Sequence, residues 1–161
     1  MKKITVTFVS SRDDARQHCA DLVMQNPDID LIAMPSGLTQ SGAWQAISRT
    51  DVVVLDESIV QQQGFTTVRM MLDSYPGINS LIIMDNVGND AMAWMLLQGV
   101  RGVMVQEDIG AFLARAIRHI HAGEVWMSRT LVEWLRNTGQ LPAGSRYAEQ
   151  GMPRTDWSRW H

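Results

Sequence analysis

Asp51-Val-Val-Val-Leu-Asp56 decides the fold of this chain. Four consecutive apolar residues, three of them β-branched, leave no polar face, so the segment reads as a strand buried on both sides. A strand covered on both faces belongs to a parallel sheet with helices above and below. The carboxylate of Asp56 then stands at the carboxyl end of a central strand, where open α/β sheets hold their ligands.

Strand and helix patterns alternate on either side. Before it, 4–9 is a β-rich run and 30–34 is a second, closed by Pro35-Ser-Gly37. Between them Ser10 and Ser11 offer an N-cap, and Asp13 and Asp14 suit a first helical turn. Ala15, Cys19, Leu22 and Val23 give that helix an apolar stripe, stopped at Asn26-Pro27. A second helix is expected over 38–49, although Gly42 lies inside it. After Asp56 a helix is expected to run to about 74, closed by Tyr75-Pro-Gly77. Residues 80–84 and 102–105 supply the fourth and fifth strands, and 90–98 the helix between them, stopped at Gly99. The pattern over 108–121, with Phe112, Leu113, Ala116, Ile117 and Ile120 on one face, is a strong amphipathic helix. A short extra helix is expected from Ser128 to about Asn137. The expected fold is a doubly wound α/β domain over 1–137. Its five-stranded parallel sheet has the order 2-1-3-4-5, with an added C-terminal helix. Residues 138–161 hold Gly139, Pro142, Gly144, Gly151 and Pro153 and read as a linker or tail, one unusually aromatic at Trp157 and Trp160.

Composition bounds the function. The 161 residues are 45% apolar and carry a net charge of −3, which describes a globular domain with no electrostatic footprint for nucleic acid. The single cysteine, Cys19, excludes an internal disulfide and is expected in the core. The basic-then-apolar start is a strand rather than a signal peptide, and no segment is long enough to span a membrane. A cytoplasmic protein is expected. No nucleophile–base pair, metal-ligand cluster or glycine-rich phosphate loop is visible, so an enzyme is not expected. His119 and His121, two residues apart on a helix, point to different faces and make no metal pair. Met70, Met71, Met92, Met95 and Trp94 are expected to be mostly core, with a partner surface as the alternative.

The order of elements, Asp51-Val-Val-Val-Leu-Asp56 and Ala116-Ile-Arg-His-Ile-His-Ala-Gly-Glu-Val-Trp-Met-Ser128 together resemble the receiver domain of NarL/FixJ-type (LuxR-type) response regulators, over residues 3 to about 136. In such receivers an acidic pair after the first strand holds Mg²⁺ and an aspartate ending the third is phosphorylated. A hydroxyl after the fourth strand and a lysine after the fifth contact the phosphoryl group. The resemblance places the acidic pair on Ser10 and Ser11, the phosphoacceptor on Asp56, the hydroxyl on Asp85 and the lysine on Gln106. Of these only the acceptor survives. Neutral Ser10 and Ser11 suit Mg²⁺ poorly, Gln106 brings no positive charge, and Asp85 would repel a phosphoryl group. Asp13 and Asp14 could supply a metal site if the register slipped, with helix-dipole complementation as the simpler role. The alternatives are that Asp56 and Asp85 share a proton or a cation, or that Asp56 is a relic carboxylate, solvated or hydrogen-bonded at the sheet edge.

Trp126-Met127-Ser128-Arg129 fits the Trp–Phe/Leu/Met–Ser/Thr–Arg pattern of the VpsT and CsgD group of biofilm regulators, whose receivers also have eroded phosphorylation sites. That resemblance implies cyclic di-GMP binding at a dimer interface, with Trp126 and Arg129 on the guanines and Ser128 and Arg129 on the phosphates. The competing reading is that Trp126 packs and Ser128 caps the last helix. The resemblance further implies a homodimer, and DNA binding only through a helix-turn-helix module following the linker. The sequence therefore predicts a phosphorylation-independent regulatory domain with no required cofactor, governed through dimerisation by cyclic di-GMP. A constitutive interaction domain and a conventional phosphoacceptor at Asp56 are the alternatives.

Overall fold

The computed structural model describes residues 2–85 and 88–138. Its strands are β1 (Ile4–Val9), β2 (Ile29–Ala33), β3 (Val52–Asp56), β4 (Asn79–Met84) and β5 (Gly102–Val105). They form one sheet in the order β2-β1-β3-β4-β5, and every pairing is parallel. The helices are α1 (Asp13–Met24), α2 (Ala43–Ser48), α3 (Glu57–Ser74), α4 (Asn89–Leu97), α5 (Ile109–His121) and α6 (Arg129–Thr138). The expected α/β fold, strand order and extra C-terminal helix are all present.

The unbroken apolar run of β3 is explained by two cores, one on each face of the sheet. Val52 and Val54 pack with Cys19 and Val23 of α1 and Leu113 and Ile117 of α5. Val53 and Leu55 face the other way, toward Phe65 and Val68 of α3, Met92 and Met95 of α4, and Leu131 and Leu135 of α6. Met71, Met92 and Met95 are thus core, while Met70 is exposed. Trp94 is half-buried against Phe65, with ring centroids 4.8 Å apart.

Several expectations need correction. The helix expected over 38–49 begins only at Ala43, because Gly42 enters it with φ of 84°. That left-handed backbone cannot continue a right-handed helix. Leu38 is nonetheless buried, its N–H held by Gln63 Oε1 at 3.0 Å. The helix after Asp56 is broken at Gly64 (φ 73°, ψ 160°) into segments 57–63 and 65–74. Ser10 and Ser11 are not the N-cap of α1; Arg12 occupies that position, with no side-chain cap. Asp51 lies outside β3, and its carboxylate accepts the Thr5 N–H at 2.9 Å. Burial pushes that carboxyl up, but the hydrogen bonds from Thr5 together with the charges of His121 and Lys2 hold it below its ordinary value. Thr138, expected to open the tail over 138–161, ends α6 instead, and the rest of that tail, with Trp157 and Trp160, lies outside the described residues. No described helix is long and apolar enough to cross a membrane.

Candidate functional site

Asp56 ends β3 and its carboxylate caps α3, accepting the Ser58 N–H at 3.1 Å. The same oxygen accepts the Ser58 hydroxyl. The other oxygen accepts the Ser10 hydroxyl at 2.6 Å, and the Arg12 guanidinium lies 3.5 Å from it. The side chain is 2% exposed. Each serine does two things. Ser10 Oγ donates to Asp56 and accepts the Arg12 N–H at 3.1 Å; Ser58 Oγ donates to Asp56 and accepts the Ser11 N–H at 3.1 Å. Asp56 therefore ties the β1–α1 loop to the start of α3. Ser11 Oγ closes the same corner by accepting from Gln62 Nε2 at 3.0 Å.

The structure thus brings Ser10, Ser11 and Asp56 together, and adds Ser58 and Arg12, which sequence reasoning missed. A serine two residues after a helix-capping aspartate was the available signal for Ser58. Asp85 follows β4 and is exposed. Its charge acts on Glu57. Burial pushes the Glu57 carboxyl up, and the charge of Asp85 pushes it further. Gln106 opens a 3₁₀ turn, Gln106–Asp108, directly after β5. These residues do not fit Mg²⁺. A hard cation wants free carboxylate oxygens, whereas Asp56 has both of its oxygens engaged and a guanidinium beside it. No group of three or more His, Cys, Asp or Glu side chains able to hold a metal occurs among the described residues. Asp13 is paired with Arg16. Burial, followed by the nearby charge of Asp56, pushes the Cys19 thiol up to about 12, so it is inert as a nucleophile.

The second region lies beyond α5. Gly123 turns the chain with φ of 93°, and Trp126 then forms a parallel bridge beside Gly102 of β5. The Trp126 N–H donates to Arg101 O at 3.0 Å, and Val103 N–H donates to Trp126 O at 3.2 Å. The half-buried indole leans on Phe112, centroids 6.2 Å apart, and on the His119 ring at 5.5 Å. His119 is itself bonded to Glu124 at 2.6 Å. Ser128 Oγ accepts the Leu131 N–H at 3.2 Å, which makes it the cap of α6. The Arg129 side chain is 92% exposed, and among the described residues its ion-pair partner is Glu133 at 3.4 Å. Trp126, Met127, Ser128 and Arg129 all line one cleft of about 520 Å³, together with Phe112, Glu107 and Asp108. That volume lies within the ~300–1,000 Å³ of small-molecule sites. The four predicted residues are therefore neighbours in space, and the two acidic wall residues were not foreseen.

No protein-family model matches the chain. A curated relative, the DNA-binding transcriptional activator DevR/DosR of Mycobacterium tuberculosis, is 28% identical over 120 residues, 74% of this chain and 55% of its own. The chain thus spans about half the length of that relative. The fold is similar to that of the RcsB response regulator of Salmonella typhimurium. The TM-score is 0.74 at 13% identity, covering 96% of this chain and 81% of that one. A two-component response regulator of the LuxR family from Aurantimonas gives a TM-score of 0.74 at 18% identity, over 86% of this chain and 99% of that one. RcsB has also been captured as two dimers bound to two parallel DNAs. The fold is that of a receiver domain, similar to those of LuxR-family response regulators.

Proposed function

We propose that this receiver-type domain is the regulatory input part of a LuxR-type transcriptional regulator. It works without phosphoryl transfer, through dimerisation controlled by cyclic di-GMP, and reaches DNA only through a helix-turn-helix module that follows it. The observation that carries the first half is the closure of Asp56. A phosphoacceptor must offer a free carboxylate oxygen in line with the donor and beside positive charge that stabilises the transferred group. Here both oxygens accept hydroxyl protons, the side chain is buried, and the lysine position holds Gln106. Incubation with a small phosphodonor and Mg²⁺ should leave the mass of the chain unchanged. A phosphate recovered on Asp56 would overturn this half and restore the conventional phosphoacceptor.

Support for the ligand half comes from the cleft that gathers Trp126 to Arg129. Its indole offers a π-face to a base, and the almost free Arg129 offers a guanidinium to a phosphate or to guanine O6 and N7. Calorimetric titration with cyclic di-GMP, with light scattering on the same samples, tests it. Heat with micromolar affinity and a doubled mass is expected. Silence in both overturns it in favour of the second reading, a constitutive dimerisation or protein-interaction domain. The observation favouring that second reading is that Trp126 already has a structural task as a rung beside β5.

A further inference from the structure

We infer that Glu107 and Asp108 read the base bound in the Trp126 cleft and select guanine over adenine. This rests on the cyclic di-GMP reading above and adds to it the residues that set its specificity.

The cleft has an unexpected polarity for an anionic ligand. Arg129 is the cation in its lining, yet Glu107 and Asp108 line it too, brought there by the 3₁₀ turn after β5. Asp108 stands at the N-cap of α5 but makes no side-chain capping bond, so its carboxylate is not consumed by the helix it precedes. Ionised carboxylates only accept hydrogen bonds, and a phosphodiester has no proton to give them. Placed against the phosphates these two groups repel. Placed against a donor-bearing edge they attract.

Guanine has such an edge. Its N1–H and N2–H₂ donate side by side, which matches the two oxygens of one carboxylate. Adenine presents N6–H₂ next to the N1 lone pair, and that lone pair meets a carboxylate oxygen head on. The aromatic walls, Trp126 and Phe112, accept the flat face of either base without preference. Selectivity therefore falls to the acids. The ligand is oriented with its base edge toward Glu107 and Asp108 and its phosphates toward Arg129 and Ser128.

The sign of one experiment separates this role from mere repulsion. Cyclic di-GMP and cyclic di-AMP are titrated into the 161-residue chain and into its Glu107→Gln and Asp108→Asn variants. If the acids only repel a dianionic ligand, removing a negative charge strengthens binding of both nucleotides. If they read guanine, at least one variant loses about tenfold or more in cyclic di-GMP affinity, in the range of a good bidentate base contact. Cyclic di-AMP, weak with the parent chain, binds that variant as well or better. Thermal melting of each variant should fall by no more than a few degrees, since Asp108 makes no side-chain capping bond and each variant loses at most a helix-dipole interaction of about 0.3–1 kcal/mol. Tighter cyclic di-GMP binding in both variants, or equal binding of both nucleotides by the parent chain, overturns the specificity role and leaves the ligand reading standing. If the parent chain binds neither nucleotide, both readings are overturned.

Discussion

At the end of β3 the protein turns its polar groups on one another, and in the cleft beyond β5 it leaves Asp108 without a capping bond and Arg129 exposed. Asp56 takes hydrogen bonds from Ser10 and from both the amide and hydroxyl of Ser58, and is 2% exposed. In the Trp126 cleft, Asp108 caps nothing, Arg129 is 92% exposed, and two aromatic rings stand at the wall. A buried carboxylate without partners is costly, so a saturated one is read first as part of the folding energy. Charged groups at the rim of a cleft with at most an exposed partner contribute little to folding and are free to meet a ligand. Under the proposed function, the end of the third strand serves as architecture and the ligand-binding surface lies beyond β5.

The largest expected effect breaks the closed corner. Asp56→Ala strips the cap of α3 and leaves the Ser10 and Ser58 hydroxyls without their acceptor. A lost cap costs about 0.5–2 kcal/mol and each orphaned buried polar group about 1–3. Urea unfolding should therefore show a loss of about 3–5 kcal/mol. A loss below about 1 kcal/mol would show the corner to be solvated and open, and the contrast between the regions would collapse.

Trp126→Ala comes next, at about 2 kcal/mol, because the indole is only half-buried though it touches Phe112 and His119. A cost as large as a fully buried tryptophan, about 3–5 kcal/mol, would make this residue purely a packing element. Gly102→Ala probes the same junction from the sheet side. A methyl there would lie 2.6 Å from Ile120 Cδ1 and 3.1 Å from Trp126 Cβ. Overpacking of this kind costs about 1–3 kcal/mol, and the Ile120 tip can turn aside, so about 1–2 kcal/mol is expected in the same urea series.

How much of this was legible depended on which physical signal each residue carries. β1 and β5 were placed to the residue and β3 to within one, because runs of four to six residues enriched in β-branched side chains are too short for a helix. The cap role of Ser128 was visible as a serine before an apolar helical stripe. Gly42 and Gly64 were not, since a glycine letter does not reveal whether its φ is positive. The same limit hid the later start of α2 and the break in α3. At the candidate site the identities of Ser10, Ser11, Asp56, Asp85 and Gln106 were readable, but the sense of the serines was not. As a sequence they look like a missing metal site. In the fold their hydroxyl and amide groups help to close the carboxylate of Asp56. Glu107 and Asp108 were passed over because acids beside a helix start already have an ordinary explanation, the helix dipole. Only the shape of the cleft shows that they also face a ligand-sized space.

The smallest stability effect carries the sharpest functional contrast. Arg129→Ala removes a side chain that is 92% exposed and meets Glu133 only at 3.4 Å across one turn of α6. Exposed pairs of this spacing contribute about 0.3–0.5 kcal/mol, and alanine is the better helix former, so the melting temperature should stay within about 1–2 °C of the parent. Cyclic di-GMP binding, measured on the same preparation, should fall at least tenfold, because a charge-assisted contact to the ligand is lost without any change in the fold. Asp56→Ala should do the reverse where the folded fraction is corrected for, with the affinity intact and the stability gone. If instead Arg129→Ala left affinity untouched while Asp56→Ala changed it, the ligand would sit at the end of β3, and the closed corner would be the working one.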